Sequence, residues 1–518
     1  MQYIKKIKLI NFKKFKNFEA TFKKNINTII GDNEAGKSSI LQAIELVASG
    51  SRIKVETAGI ESILNADAVT EFLAGERSYK NLPEIHVEVH LNDEKDPDLH
   101  GKNNTDKISA SGLHMICQPN EDLAGEIDKL LKEDKENFPF EYYTVKFITF
   151  SGEAYSGYRR LLRCLTIDSS AINSEHANTE YIKTVYQSFV DDADRISLNN
   201  AYRKRKSQFT KENLNHINNE LKNYEIAVRS DTKHNLETDI TLLQENIPID
   251  KRGKGKQCFI KTEFALMRNN EKNPIHTLLL EEPENHLSHT NMKRLISKIS
   301  ESHKNQIIIA THSSLIATRL DLRNALLINS SCEQPITLSD LSPSTAKFFI
   351  KAPDNNILEF VLSQRVLLVE GNAEYILMNA LYQNSSEKSL EEANIHVISV
   401  GGISFKRYME LAKKLKIKTA VIRDNDKDYQ TNCVDNYTDY VSKNIQVFSD
   451  KNNDNYTFEV CLYKNNKNIC EDLFAGKKSA LQFMLDNKSE SALRLLDQHS
   501  NDLKVPEYIR EAFAWISE

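Results

Sequence analysis

Residues 31–38 read Gly-Asp-Asn-Glu-Ala-Gly-Lys-Ser and match the pattern G-x-x-x-x-G-K-[ST]. The apolar run NINTII precedes them and the helical pattern SILQAIELVAS follows. That is the strand–loop–helix context the pattern needs. Glycines there let backbone N–H groups wrap phosphates. The lysine reaches the β- and γ-phosphates, the hydroxyl ligates Mg²⁺, and the helix N-terminus favours an anion. Gly31, Asn33, Glu34, Gly36, Lys37, Ser38 and Ser39 are therefore expected to hold ATP or GTP, ATP being the nucleotide taken forward, with Ser38 on the Mg²⁺.

Carboxylates stand at the ends of three later apolar runs. Leu278-Leu279-Leu280 ends in Glu281-Glu282-Pro283-Glu284. An acidic pair at a strand end can hold Mg²⁺ through water and polarise an attacking water. Glu282 is expected as the hydrolytic base and Glu281 on the metal side. In IIIATHSS a further strand ends at Thr311, putting His312 where it could sense a γ-phosphate. In LLVEGNAEYI, Glu370 ends the strand RVLLV, Gly371 permits a tight turn, and Glu374 lies one helical turn on. The run TAVIRDND then ends in Asp424-Asn425-Asp426. Alternate strand residues share a face, so both aspartates are expected on one side. Four such carboxylates repel unless cations lie between them. Glu370, Glu374, Asp424 and Asp426 are thus expected to bind Mg²⁺ or Mn²⁺ through oxygen ligands and retained waters. Singly these signals are weak, since a strand-end glutamate is usually solvated and D-x-D is frequent in loops. Their order along the chain carries the weight.

These residues need strands and helices to position them. YIKKIKLINF and FEATF suggest a hairpin, and IHVEVHL and YTVKFITF continue the β pattern. From about Ser151 to Ile249, YIKTVYQSFV, NLNHINNELKNYEIAV and TDITLLQENI read as polar helices with apolar stripes. They form either an arm or dimerisation element or a helical layer on the same domain. Around Asp354 to Gln364 a new unit begins, in which strands RVLLVEG, IHVISVGG and KTAVIRDND alternate with helices. Such alternation implies parallel strands with crossover helices. The expected division is 1–150 and 251–355 for two lobes of an α/β nucleotide-binding head, 151–250 for the helical insertion, and 356–518 for the acidic unit.

Composition narrows the class. The chain has 518 residues, 40% hydrophobic and 27% charged, as in soluble globular proteins. A net charge of −5 neither announces nor excludes a nucleic-acid partner. The pairs Lys5-Lys6, Lys13-Lys14 and Lys23-Lys24 read best as solvated strand faces. Seven scattered cysteines without CxxC or Cys/His pairs at zinc spacing fit a reducing cytoplasm and argue against a zinc finger or disulfide scaffold. With no signal-peptide pattern and no run of about 18 apolar residues, no membrane association is expected.

The order of P-loop, helical insertion, acidic strand end and strand-end histidine resembles the ABC-type ATPases that act on DNA, the RecF, SMC and Rad50 group. The basic stretch Lys251 to Gln257 stands where that group carries its signature loop, and a flexible basic loop is the alternative. Glu281 replaces the usual aspartate, which would make hydrolysis slow. The later set (apolar strand–EG, VGG, apolar strand–DND) resembles the Toprim domain of topoisomerases, primases and certain nucleases. An ABC-type head followed by Toprim resembles the OLD (overcoming lysogenization defect) nucleases, through GDNEAGKSS, LLLEEPENHLS, ATHSS, LLVEGNAE, VGGISF and IRDND.

The resemblance implies a fold and a site. Glu370, Asp424 and Asp426 would hold one metal; Glu374 and Glu459, in YTFEVCL, would help hold a second. Lys478 in GKKSALQF, with Lys477 as second choice, would offset charge in phosphodiester hydrolysis. For Glu459 the alternative is a surface strand glutamate, and for Lys478 a solvated helix lysine. The resemblance further implies a DNA substrate and a homodimer or larger homo-oligomer formed through the ATPase and helical region. It suggests an anti-phage role, beside a helicase-like protein (as in Gabija systems) or a retron reverse transcriptase with its DNA. One rival is a non-nucleolytic DNA repair or clamp ATPase using Toprim as a binding module. The complete carboxylate set argues against it. A topoisomerase or primase is the other rival, and it lacks an evident tyrosine-nucleophile domain or zinc module here.

Overall fold

The computed structural model describes the chain except residues 1, 93–95, 134–135, 158–160, 171–174, 222, 232–233, 268–274, 303–304, 329–333, 352–355, 402–403 and 477–478. Two compact units divide it: Met1–Leu320 with Asn324–Thr337, and Asp321–Arg323 with Leu338–Glu518.

In chain order the first unit begins with β1 (Ile4–Phe12), β2 (Phe15–Thr21), β3 (Ile26–Gly31), β4 (Ile85–Leu91), β5 (His100–Gly101), β6 (Ala110–Pro119) and β7 (Tyr143–Thr149). It continues with β8 (Cys164–Asp168), β9 (Leu243–Gln244), β10 (Ile247–Pro248), β11 (Thr277–Glu281), β12 (Gln306–Thr311), β13 (Ala325–Ile328) and β14 (Ile336–Thr337). One six-stranded sheet is antiparallel, in the order β2-β1-β4-β6-β5 with β7 also on β6. Its inner face buries Ile7, Leu9, Val87, Val89, Leu113 and Met115 against the helix Lys37–Ser49.

The second six-stranded sheet runs β14-β13-β3-β12-β11-β8. All its pairs are parallel except β13–β14. Strands β11 and β12 are apolar on both faces, as parallel strands covered on both sides must be. Being parallel, β3, β8, β11 and β12 deliver the residues after their carboxyl ends to a single sheet edge. Ligands of open α/β sheets gather there.

The region 151–250 departs in part from the polar-helix reading. Helices Glu175–Phe189 and Asp192–Asn213 are present, but beyond Asn213 the described residues of NLNHINNELKNYEIAV hold only the short helix Asn215–Asn218. TDITLLQENI carries the β9–β10 hairpin. Strand β8 also lies here and pairs with β11 as an edge strand of the parallel sheet. Five residues of apolar alternation inside a polar stretch are too short a signal to separate from a helical stripe.

The second unit holds β15 (Arg365–Val369), β16 (His396–Ser399), β17 (Lys418–Ile422) and β18 (Ile445–Phe448) in one parallel sheet, order β16-β15-β17-β18. The helices Asn372–Ser386 and Phe405–Leu415 are the crossovers between its first three strands. Its core joins Leu367, Leu377, Phe458, Leu495, Phe513 and Ile516. The chain is thus a mixed α/β protein of two sheet-based units. Among the described residues no helix is long and apolar enough to cross a membrane.

Candidate functional site

The P-loop follows β3 directly. Gly36 has φ +96°, and a Cβ built on it would stand 2.4 Å from the Phe15 ring, so only glycine fits. At Gly31 a Cβ would meet the Ile328 carbonyl oxygen at 2.3 Å. Asn33, Glu34 and Ser38 are exposed, and Ser39 is half-buried in the first turn of the helix. Lys37 is buried, and its ammonium donates to the carbonyls of Gly31 (2.8 Å) and Asp32 (2.9 Å). Burial holds its pKa below the usual lysine range, against the pull of Glu282, Asp32, Glu284 and Glu281.

Parallel pairing brings the other strand ends to this loop. His312 Nδ1 lies 3.5 Å from Lys37 Nζ, and His312 Nε2 lies 3.2 Å from Glu282 Oε1. Asn285 donates to the second Glu282 oxygen at 2.7 Å. Glu284 ties the two strand ends together, accepting from the Thr311 hydroxyl (2.6 Å) and the His312 N–H (2.8 Å). Burial pushes the Glu281 carboxyl up, and Asp168 and Glu282 repel it further; the Ser38 hydroxyl and Lys13 favour its charged form. Asp168 was not expected. It ends β8 directly opposite Glu281, and only the pairing of the hidden edge strand brings it there. The stretch Lys251 to Gln257 runs into the helix Lys254–Met267. The Gln257 amide is buried and donates to the Arg252 carbonyl at 2.7 Å.

In the second unit, Glu370 follows β15 and Glu374 sits in the first turn of the next helix, 6% exposed. Gly371 has an ordinary extended φ of −143°, so no left-handed turn requires it. A Cβ there would stand 3.3 Å from Glu374 Oε2; glycine leaves that carboxylate room. Asp424 follows β17, and its Oδ1 accepts the Phe458 N–H at 2.8 Å. That bond holds Asp424 at the N-terminus of the helix Phe458–Asn465, where Glu459 is 2% exposed. Glu459 is therefore a buried helix residue rather than a surface strand glutamate.

Glu374, Asp424 and Glu459 form an electrostatically coupled group. Burial pushes the Glu374 carboxyl up to about 7, reinforced by Glu459 and Glu370. Burial also raises Asp424 well above the carboxylate range, and Glu374, Glu370 and Glu459 add to it. Among the described residues one cation answers them. Lys488 opens the helix Lys488–His499, and its Nζ lies 3.0 Å from Glu459 Oε2. Its charge favours ionised Asp424 and Glu374. Nothing in DNKSESALRLL marks this lysine; its place follows from the packing of that helix on Asn372–Ser386. Lys477 and Lys478, the lysines expected here, lie outside the described residues.

Asp426 does not share the face of Asp424. Strand β17 ends at Ile422, and Asp426 and Lys427 adopt φ of +49° and +71°, which breaks the alternation. Buried Asn425 fixes the bend by donating to the carbonyls of Asp450 (2.7 Å) and Asn452 (3.0 Å). Asp426 instead accepts from Arg423 Nη2 at 2.9 Å, and the same guanidinium pairs with Glu370.

Among the described residues no three His, Cys, Asp or Glu side chains are arranged as a ready metal-binding group. The donor chemistry still fits a hard divalent cation. Two buried carboxylates, Glu374 and Glu459, crowd with half-buried Asp424, and among the described residues the buried Glu459 Oε1 has no hydrogen-bond partner.

A P-loop with acidic strand ends defines the first unit as a nucleotide-binding ATPase, and the second is a parallel-sheet domain with a carboxylate cluster. Comparison with known families agrees. A model described as AAA ATPase domain matches residues 2–317, and one described as overcoming lysogenization defect protein-like, TOPRIM domain matches 361–426. The chain belongs to the AAA ATPase domain family and carries an OLD-like TOPRIM domain. It is 23% identical over 375 residues to an ATP/GTP phosphatase of Helicobacter pylori, covering 68% of this chain and 94% of that one. It is 25% identical over 171 residues to the Old nuclease of Escherichia phage P2, covering 30% and 29%. An Smc head solved with the C-winged helix domain of ScpA is 15% identical, covering 66% and 100%, with a TM-score of 0.35.

Proposed function

We propose that this protein is an ATP-controlled, divalent-metal-dependent DNA endonuclease. The observation that carries this reading is the group of buried Glu374 and Glu459 with half-buried Asp424, gathered from three elements with Lys488 beside it. Such a group is costly unless cations balance it. The name of the phage relative, Old nuclease, supports hydrolysis of nucleic acid as the chemistry served. In this reading Glu370, Asp424 and Asp426 would hold one divalent cation once Asp426 and Glu370 are released from Arg423, and Glu374 and Glu459 would help hold a second. Bound cations would supply an activated water and stabilise the leaving oxygen of a phosphodiester. Lys488 offsets charge there, the role expected of Lys478. Asn425 and the Phe458 N–H keep Asp424 aimed at the site.

In the first unit, Lys37 and the P-loop bind the nucleotide phosphates and Ser38 and Glu281 take the Mg²⁺. Glu282 polarises water, with His312 positioned between Glu282 and Lys37. Nucleotide occupancy then controls cleavage. An anti-phage role, a homo-oligomer and a helicase-like or retron partner extend the same proposal. The test is nicking of supercoiled plasmid with Mg²⁺ or Mn²⁺, with and without ATP. Cleavage is expected, and Asp424→Ala should abolish it. No nicking under any of these conditions, or full nicking by the variant, sinks the nuclease reading.

A further inference from the structure

The carboxylates of the second unit fall into two electrostatic halves. Among the described residues, Glu374, Asp424 and Glu459 have Lys488, itself half-exposed, as their nearby cation. Glu370 and Asp426 are different: a guanidinium already bridges them. Arg423 Nη1 donates to Glu370 Oε2 and Arg423 Nη2 to Asp426 Oδ2, the latter at 2.9 Å. The Arg423 side chain is 17% exposed, and its guanidinium carbon lies 6.0 Å from the centre of the Phe405 ring. Among the described residues its buried Nε has no hydrogen-bond partner, and the guanidinium donates to the two carboxylates. The backbone is shaped to this arrangement, since the left-handed φ at Asp426 turns that carboxylate toward the guanidinium.

We propose that Arg423 is a resident counter-cation of the acidic site, which a divalent metal ion must displace from Glu370 or Asp426 in order to bind them. Arginine is the residue for this role. It cannot deprotonate, so the competition persists wherever the carboxylates are ionised, and its planar fork spans two carboxylates that one ammonium would not. Without it Glu370 and Asp426 would face each other uncompensated. With it, they are held in place ready for metal, at the expense of metal affinity. This rests on the metal-site reading above and goes beyond it by naming what the metal competes with.

The test measures Mn²⁺ binding to the full chain by calorimetry, without nucleotide or DNA. Removing a competitor that makes charge-assisted hydrogen bonds should tighten binding by roughly tenfold or more in Arg423→Gln. Arg423→Lys, which keeps the charge, should stay closer to wild type. A second readout guards against misfolding. Mn²⁺ should raise the unfolding temperature more in Arg423→Gln than in wild type, because metal then replaces the lost cation. Equal or weaker Mn²⁺ binding by Arg423→Gln, with no larger thermal gain, overturns the proposal and makes Arg423 a scaffold residue. If neither wild type nor variant binds Mn²⁺, or if Asp424→Asn binds as wild type does, the metal-site reading fails and this proposal with it. Tighter binding in Arg423→Gln by a protein that nicks no DNA would uphold the counter-cation and reject the nuclease.

Discussion

Glu374→Gln gives the sharpest check on the electrostatics of the acidic unit. Glu374 is 6% exposed, and burial together with Glu459 and Glu370 moves its carboxyl from 4.5 to about 7. The unfolded chain ionises this group near its ordinary value, so between those two pH values the folded state holds the proton more tightly. Stability from this group is therefore greatest at low pH and declines as pH rises from about 4.5 to about 7. At about 1.4 kcal/mol per pKa unit, holding the ionised carboxylate in place at pH 8 costs about 3 kcal/mol, against roughly 1 kcal/mol at pH 5. Glutamine keeps the shape and removes the ionisation. In chelator-treated protein, urea unfolding should show Glu374→Gln more stable than wild type by about 3 kcal/mol at pH 8 and by only about 1 kcal/mol at pH 5. Saturating Mn²⁺ should close the gap at pH 8 by stabilising wild type alone, since the cation favours the ionised carboxylate. A variant no more stable than wild type at pH 8 would refute the reasoning, as would a gain of equal size at both pH values.

Three further outcomes follow from the same geometry. Lys37→Ala should abolish nucleotide binding in a fluorescent-nucleotide titration while leaving Mn²⁺ binding by the second unit unchanged; unaltered nicking with and without ATP would rule out nucleotide control. Lys488→Met removes the cation that favours ionised Asp424 and Glu374, so half-saturation with Mn²⁺ should move to higher pH; an unmoved profile would assign the compensating charge elsewhere. Asn425→Ala leaves the carbonyls of Asp450 and Asn452 without their buried donor and should destabilise the protein by about 2 to 4 kcal/mol in urea unfolding, with loss of Mn²⁺ affinity as Asp424 shifts.

The nucleotide site and the acidic strand ends were legible in the sequence because each is local. The P-loop is a contiguous strand–loop–helix, and Gly31 and Gly36 sit where backbone approach or a left-handed φ excludes any side chain. Glu281 and His312 end apolar runs, and parallel pairing of such runs carries their ends to one edge. Glu370, Glu374 and Asp424 could be read in the same way, since a strand followed by a helix offers little choice of where its first residues go.

What the sequence left open depended on long-range packing. Asp168 joins Glu281 only because a five-residue strand within the polar region pairs at the sheet edge. Lys488 reaches Glu459 because one helix packs on another across many intervening residues, and no local pattern distinguishes it from the other lysines. The two aspartates of D-x-D part because a buried asparagine bends the chain after β17, turning Asp426 to Arg423 and leaving Asp424 with Glu374 and Glu459. Side-chain periodicity is set within a strand and is read from the sequence. Where the strand ends, hydrogen bonds to distant backbone decide which way the next carboxylate faces, and only the tertiary structure contains them.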